Sequence, residues 1–176
     1  MKNLLKAVLT VFLMTAGAHA MDLENTLYLD LKDGRVVIEM YPDKAPKHVA
    51  RIKELVRAGF YDGLTFHRVI PGFMAQTGDP KGDGTGGSGQ NLPAEFNDLP
   101  HLRGTVSMAR AMDPNSADSQ FFICFEPAMH LNGQYTVWGR VVEGMQFVDN
   151  IKPGEGPGFT DPDVIVKMQV AADVEQ

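Results

Sequence analysis

Residues 66–79 read Phe-His-Arg-Val-Ile-Pro-Gly-Phe-Met-Ala-Gln-Thr-Gly-Asp, a stretch that begins as a strand-like run and breaks at a Pro-Gly dipeptide. Such a dipeptide is typical of a turn. The change of direction brings Arg68 close to two large apolar side chains, Phe73 and Met74. The amide of Gln76 arrives at the same place. A cation, two large apolar side chains and an amide around one turn indicate a functional site rather than an ordinary core strand.

The chain around this stretch alternates short strand patterns with glycine and proline. Leu27, Leu29 and Leu31 fall on one face of a strand, and Asp33-Gly34 predicts a tight hairpin turn to the next strand. Seven segments have strand patterns: 26–32, 35–41, 65–70, 104–109, 120–125, 136–142 and 164–170.

Two segments have helical patterns instead. A helix is expected to begin at Pro46 and to end near Gly59, with Val49, Ile52 and Leu55 on its apolar stripe. A second, shorter helix is expected over residues 145–151. Many short strands with only two helices predict a mainly β fold, a closed antiparallel β-barrel capped by two α-helices.

The first twenty residues differ from the rest. Two lysines precede an apolar run over residues 4–16, and Ala18-His19-Ala20 has the small-x-small pattern that signal peptidase cleaves. The alternative is an uncleaved anchor, but the run is short for about 30 Å of hydrocarbon. We therefore predict a cleaved signal peptide over residues 1–20 and a single mature domain over residues 21–176, located in the periplasm or secreted.

Charge and cysteine content narrow the function further. The net charge is −6, and cleavage would change it to −8, because residues 1–20 contain two lysines and no acid. Such a domain lacks the basic footprint of nucleic-acid-binding proteins. We expect no nucleic-acid partner, no membrane contact after cleavage, and a monomer. Cys124 is the single cysteine and lies in an apolar run, which excludes an internal disulfide and favours a buried, inert thiol over a nucleophile.

A glycine-rich stretch follows residues 66–79 and partly matches two known motifs, a dinucleotide-binding loop and a calcium-binding loop. Gly82, Gly84 and Gly87 match the G-x-G-x-x-G spacing of dinucleotide-binding loops, but no helical pattern follows them. A calcium loop beginning at Asp79 would need its bidentate glutamate where Gln90 stands. The five histidines show no metal-ligand spacing. We therefore expect no cofactor and no metal.

A strong cation among apolar side chains suits one reaction in particular, the rotation of an X-Pro amide. The uncatalysed barrier is about 18–20 kcal/mol because amide resonance resists twisting. An apolar pocket would hold the proline ring, and Arg68 would donate to the prolyl nitrogen, which becomes an acceptor in the twisted state. Gln76 would hold the carbonyl on the moving side. Taken alone, Arg68 is equally consistent with an ordinary surface strand.

Four separated motifs resemble the cyclophilin-type peptidyl-prolyl cis-trans isomerases; they lie at residues 66–76, 84–87, 107–109 and 119–123. The resemblance extends from Leu27 to the C-terminus. It implies a closed eight-stranded antiparallel β-barrel capped by two α-helices, with a substrate groove on its outer face. It also implies prolyl isomerase activity that assists protein folding, with proline-containing unfolded or flexible polypeptides as partners.

The same resemblance assigns the site. Arg68 matches the catalytic arginine of the family. Residues that match the proline pocket or the adjoining groove are His67, Phe73, Met74, Gln76, Ala109, Arg110, Gln120, Phe122, His130, Leu131 and Tyr135. Three of these depart from common family patterns: Arg110 stands where asparagine is frequent, Tyr135 replaces a histidine, and His130 replaces a tryptophan of the best-known eukaryotic members. Since that tryptophan helps to bind cyclosporin, we expect weak binding of the drug.

Two alternatives stay open at this point. The same groove would also suit a non-catalytic binding module or chaperone for proline segments, in which Phe122 would matter more than Arg68. A secreted hydrolase would require an activated serine or the thiol of Cys124. Strand alternation places Phe121 and Phe122 on opposite faces, so one of them is expected in the core and the other in the groove.

Overall fold

The computed structural model describes residues 21–174. The signal peptide predicted over residues 1–20 lies outside the described residues. Within residues 21–174, eight strands form one sheet in which every pairing is antiparallel. No helix in this part of the chain is both long enough and apolar enough to cross a membrane.

The strands are β1 (Thr26–Leu31), β2 (Gly34–Met40), β3 (Arg68–Ile70), β4 (Met74–Thr77), β5 (Thr105–Met108), β6 (Phe121–Cys124), β7 (Val137–Glu143) and β8 (Lys167–Val170). The helices are α1 (Pro46–Arg57) and α2 (Met145–Asp149). Short 3-10 helices cover Leu23–Asn25, Met129–Leu131 and Ala171–Asp173. The order of strands across the sheet is β3-β4-β6-β5-β7-β2-β1-β8.

The sheet is open and curled into a half-barrel. Its end strands, β3 and β8, share no ladder among the described residues. A single bridge joins Thr65 and Val164, which precede β3 and β8 in the chain. The free edge of β3 is occupied instead by Gly154, which exchanges two backbone hydrogen bonds with Val69 at 2.8 and 2.9 Å. Full closure of the barrel stays a prediction.

The main core lies between the concave face of the sheet and α1. The ring of Phe121 is fully buried, 5.5 Å between centroids from the rings of Tyr61 and Trp138. The buried residues of α1 are His48, Val49, Ile52, Leu55 and Val56. The predicted apolar stripe therefore faces the core, which explains why this segment is helical in its present position.

The first turn of α1 receives its cap from a distant loop. Ala45 precedes the helix and has no side-chain acceptor. The carboxylate of Glu95 accepts the backbone N–H groups of Lys47 and His48, both at 3.0 Å. The same carboxylate lies 2.6 Å from Nδ1 of the buried His48. These bonds satisfy donors that a helix N-terminus leaves unpaired, and they attach the long loop before β5 to the helix.

The sequence patterns located most elements but not their limits. The four-residue strand β4 was not predicted, because residues 74–77 follow the turn too closely to show a period of their own. The first hairpin turn is Lys32-Asp33 rather than Asp33-Gly34, since Gly34 already pairs with Leu31. Gly34 is required for contact with α2, because a Cβ there would lie 2.5 Å from Cζ of Phe147.

Candidate functional site

The strands β3, β4 and β6 set three side chains in a row. Arg68 on β3 lies opposite Gln76 on β4, and Gln76 lies opposite Phe122 on β6. Directly opposed residues of antiparallel strands point to the same face of a sheet. The turn between β3 and β4 is closed by a hydrogen bond of 3.0 Å from the backbone N–H of Phe73 to the carbonyl of Ile70. The register of these three strands therefore brings the cation, the amide and the aromatic ring together.

A cavity of about 120 Å³ opens beside this row on the outer face of the sheet. Its lining consists of Arg68, Phe73, Met74, Gln76, Ala109, Arg110, Phe122, Leu131 and Tyr135. All nine are among the site residues predicted from the sequence. The cavity is small, and its apolar side chains lie beside the guanidinium groups of Arg68 and Arg110 and the amide of Gln76.

The apolar wall of the cavity is a cluster separate from the main core. Met74, Phe122 and Leu131 pack together on the convex side, where they are 1%, 4% and 9% exposed. Phe121, the neighbour of Phe122, belongs to the main core instead. The predicted division of these two rings between core and groove is thereby confirmed, and it follows from the alternation of side chains along β6.

A buried histidine supports Phe122 from behind. The ring of His101 stacks on the ring of Phe122 at 6.0 Å between centroids. Its Nε2 lies 3.0 Å from Oγ of Ser107, and its Nδ1 lies 3.1 Å from Oδ1 of Asn132. Burial lowers the pKa of His101, which favours a neutral ring. With both nitrogens held, the His101 ring provides a fixed surface for Phe122.

Two carboxylates organise the glycine-rich loop beside the cavity. Asp79 is 1% exposed and accepts the backbone N–H groups of residues 81, 83 and 84 at 2.6–3.1 Å. Asp118 accepts those of residues 88, 89 and 90 at 2.8–3.2 Å. The loop therefore wraps around acids of the protein itself, rather than presenting its amides to a phosphate as a dinucleotide-binding loop would.

The loop in turn orients two glutamines. Nε2 of Gln120 donates to the carbonyls of Gly84 and Gly86 at 3.0 and 2.8 Å. This leaves Oε1 of Gln120 to accept a hydrogen bond of 2.9 Å from Nε2 of Gln76. A second cavity of about 260 Å³ lies between this loop and the residues around Ala109. Gln76, Ala109 and Arg110 line both cavities, so the two cavities adjoin each other along one groove.

Arg110 and Tyr135 form the rim between the two cavities. The guanidinium carbon of Arg110 lies 4.7 Å from the centroid of the Tyr135 ring, and its Nε and Nη2 donate to the carbonyl of Gln134 at 3.0 and 2.9 Å. Tyr135 meets Phe122 edge to face at 5.9 Å between ring centroids. The tyrosine thus continues the aromatic wall, and the arginine fixes it from the solvent side.

Comparison with known proteins identifies the family. Residues 26–170 match the family model for the cyclophilin type peptidyl-prolyl cis-trans isomerases. The chain belongs to this family. A Brucella suis biovar 1 protein named "Probable peptidyl-prolyl cis-trans isomerase" is 56% identical over 173 residues, which cover 90% of this chain and 88% of the relative. Peptidyl-prolyl cis-trans isomerase B of Bacillus subtilis is 48% identical over 133 residues, covering 74% of this chain and 92% of that protein.

Solved structures agree with this assignment. Cyclophilin AquaCyp293 from Hirschia baltica superposes with a TM-score of 0.79 at 30% identity, covering 87% of this chain and 76% of that chain. A cyclophilin-type isomerase from Cryptosporidium parvum, studied in the presence of the dipeptide Ala-Pro, gives 0.76 at 29% identity, with 82% and 98% covered. The present chain is therefore a cyclophilin-type peptidyl-prolyl cis-trans isomerase.

Three predicted site residues of this cyclophilin lie outside the cavity of about 120 Å³. Gln120 lines the adjacent loop cavity. His130 is exposed beside Phe73, at 5.8 Å between ring centroids. His67 is 8% exposed and lines a third cavity of about 660 Å³ on the other side of Arg68. Burial lowers the pKa of His67, and both of its ring nitrogens lack a hydrogen-bond partner within residues 21–174.

Several contributors to the site have no signal in the sequence. Glu155, Asp118 and His101 were not predicted to take part. Nε of Arg68 donates to Oε2 of Glu155 at 3.0 Å, although the two residues are 87 positions apart. Such a contact depends on tertiary structure, and no local pattern indicates it. Among residues 21–174, no group of three or more histidines, cysteines and acids could hold a metal ion.

Proposed function

We propose that Arg68 is the catalytic residue of this isomerase and that the cavity of about 120 Å³ holds the proline ring of the client. One observation carries the proposal: the Arg68 side chain lines the same cavity as the apolar side chains of Met74 and Phe122. A ring held against Phe122 is thereby placed beside the guanidinium. Leu131 and Tyr135 close the remaining sides.

Catalysis in this arrangement needs no covalent step. As the X-Pro amide twists, its nitrogen loses conjugation and becomes a hydrogen-bond acceptor, which it is not in either planar ground state. A donor from Arg68 then stabilises the twisted state more than the cis or the trans state, and this difference lowers the barrier. The apolar wall holds the proline ring while the other side of the bond rotates.

The groove residues have supporting roles. Gln76, fixed by Gln120, would meet the carbonyl on the moving side of the bond. The backbone of Ala109 and Arg110 and the ring of His67 would contact the client chain on either side of the proline. His130, exposed at the edge of the pocket, replaces a large aromatic surface with a smaller ring. Cyclosporin should therefore bind weakly.

The setting of this activity is also part of the proposal. The mature enzyme would be a monomeric domain over residues 21–176, released into the periplasm after removal of residues 1–20. Its clients would be unfolded or flexible polypeptides, in which X-Pro isomerisation otherwise takes tens of seconds or longer. The barrel would be closed, and the bridge between Thr65 and Val164 supports this closure. N-terminal sequencing of the protein from a periplasmic extract tests the cleavage site, with Met21 expected first.

The decisive experiment measures cis-to-trans conversion of a short Ala-Pro peptide. We expect Arg68→Ala to lower kcat/KM about 100-fold or more, the scale of losing one preorganised donor to the transition state. Arg68→Lys keeps the charge but loses the planar fork, so we expect only partial recovery. Wild-type protein that gives no acceleration, or an Arg68→Ala variant with wild-type activity, would refute the proposal.

A second variant separates catalysis from mere holding. Phe122→Ala removes the aromatic wall and should weaken client binding as well as turnover. In a binding module or chaperone, Phe122→Ala would abolish client affinity, whereas Arg68→Ala would leave both affinity and function intact. Measuring client affinity and isomerisation for both variants therefore distinguishes the two roles.

A further inference from the structure

We infer that Glu155 is a positioning residue of this isomerase, holding the guanidinium of Arg68 in the orientation that catalysis requires. The inference rests on the role proposed for Arg68. Nε of Arg68 donates to Oε2 of Glu155 at 3.0 Å, and within residues 21–174 this is the one hydrogen bond that the Arg68 side chain makes. Gln76, its cross-strand neighbour, is occupied by Gln120 instead.

The position of Glu155 leaves the two terminal nitrogens of the Arg68 guanidinium free to face the proline cavity. Arg68 lines both the proline cavity and the cavity of about 660 Å³, whereas Glu155 lines only the latter. The carboxylate therefore approaches from the side away from the proline cavity and accepts the hydrogen bond from Nε. A guanidinium carries four more N–H groups on its two terminal nitrogens. With Nε held, rotation about the last bonds of the side chain is restricted, and these groups remain available to the proline cavity.

The backbone beneath Glu155 is fixed to the strand that carries Arg68. Gly154 and Val69, the chain neighbours of the two partners, form a bridge with hydrogen bonds of 2.8 and 2.9 Å. The ring of Phe159 packs across Gly154, where a Cβ would lie 2.3 Å from Cδ2 of that ring. A side chain at position 154 would displace this ring, so the glycine keeps the loop compact against β3.

A lysine closes the same loop on itself. Nζ of Lys152 donates to the carbonyls of Thr160 and Asp161 at 2.8 and 2.9 Å, and its backbone N–H donates to Asp163 at 2.7 Å. The carboxylate of Glu155 is thus presented from a loop that is already ordered. Little additional ordering is needed to bring it to Arg68.

A stabilising role does not account for this ion pair. The side chains of Arg68 and Glu155 are 41% and 53% exposed. Pairs with such exposure add little to folding stability because water screens them and two long side chains must be ordered. Orientation is a different matter, since a donor misplaced by about 1 Å can cost about 100-fold in rate. The contact therefore matters for the geometry of Arg68 rather than for the stability of the fold.

The test compares Glu155→Ala, Glu155→Gln and a matched control, Asp161→Asn, in the full mature protein. Asp161 lies on the same loop, is fully exposed and approaches Lys152 only at 4.0 Å. Asparagine suits its positive φ of 55°. For Glu155→Ala we expect kcat to fall about tenfold with KM changed less than about twofold. Glu155→Gln keeps an acceptor oxygen and should recover a large part of kcat, and Asp161→Asn should match wild type.

A spectroscopic measurement makes the test independent of activity. The Nε–H proton of Arg68 should give a distinct resonance that is protected from exchange, identified by its absence in Arg68→Lys and lost in Glu155→Ala. Unchanged or increased kcat in Glu155→Ala, a change in KM alone, or an unaltered Nε–H resonance would overturn the inference. Loss of activity in Arg68→Ala with full activity in Glu155→Ala refutes only the inference. Equal activity of Arg68→Ala and wild type refutes the proposed catalytic role itself.

Discussion

Nε2 of Gln76 donates to Oε1 of Gln120 at 2.9 Å, and this bond joins the hairpin that carries Arg68 to the glycine-rich loop. The other end of the Gln120 amide is fixed by the carbonyls of Gly84 and Gly86. The glycine-rich loop thus determines the orientation of Gln76, the residue opposite Arg68, although within the described residues it forms no hydrogen bond with Arg68 itself.

Removing the Gln120 amide should impair catalysis without unfolding the protein. In Gln120→Ala, Gln76 loses the partner that orients it, and we expect kcat/KM to fall by a factor of about 3 to 30. Gln120→Glu should not rescue the loss, because its carboxylate would face the two glycine carbonyls. The control is Gln90→Ala, an exposed residue on the same loop. Peptide isomerisation and thermal melts measure both effects, and a fully active Gln120→Ala would contradict the coupling.

A methyl group at residue 86 should disrupt the loop. A Cβ on Gly86 would lie 2.0 Å from Oδ1 of Asp79, the buried carboxylate that holds the loop. Gly86→Ala should therefore lower both the melting temperature and kcat/KM, because either the loop or Asp79 must move. Gly158→Ala is the matched control, since no atom lies within 4 Å of its Cβ. Equal melting temperatures for the two variants would show that the loop tolerates the contact.

The thiol of Cys124 should be inert in the folded protein. Cys124 is fully buried, and burial raises the pKa of its thiol to about 12. Because the thiolate is the reactive form, a disulfide reagent should fail to label the native protein and should label one thiol after denaturation. Isomerase activity should survive treatment with iodoacetamide. Rapid labelling of native protein, with loss of activity, would instead support a catalytic thiol.

Folding stability should decrease as the pH falls below about 6.5. Burial is the largest influence on the pKa of His48, His67 and His101 and lowers each of them in the folded state. The unfolded chain therefore binds protons first as the pH falls through the ordinary histidine range, and protonation favours unfolding. The contribution of these neutral rings is complete above about pH 6.5 and is lost below it.

Urea denaturation at a series of pH values from 7.5 to 5.0 measures this dependence. The free energy of unfolding should decline across the series, and the decline should be smaller in His101→Gln than in wild type. A constant free energy of unfolding over this range would contradict the prediction. The hydrogen bond between His48 and Glu95 opposes the effect of burial at His48, so His101 is the clearer position for the variant.

The local patterns of the chain were sufficient for much of the architecture. The alternation of Leu27, Leu29 and Leu31, the apolar stripe after Pro46 and the glycine and proline punctuation predicted a mainly β fold with two helices. These signals are local, since the period of apolar residues follows directly from strand or helix geometry. They located α1 and seven of the strands, and they missed β4, which has only four residues.

The sequence also predicted the residues of the candidate site, but only as a set of residue types. The row formed by Arg68, Gln76 and Phe122 depends on strand register. A shift of one residue in the pairing would turn the shifted strand's side chain to the other face of the sheet. The family resemblance carried by four separated motifs indicated which residues belong together, and nine of the twelve predicted site residues line one cavity. Residues 66–79 thus supply the cation and, in Phe73 and Met74, part of the apolar lining.

Tertiary structure alone decided how these groups are held. Glu155 reaches Arg68 across 87 positions, and Asp118 organises a loop about 30 positions earlier in the chain. His101, twenty-one positions before Phe122 in the chain, stacks on its ring. Contacts of this kind depend on where distant backbone segments meet, and no residue period indicates that meeting. The chemistry of the enzyme is present in its sequence, whereas the orientation of the groups that perform it is a property of the fold.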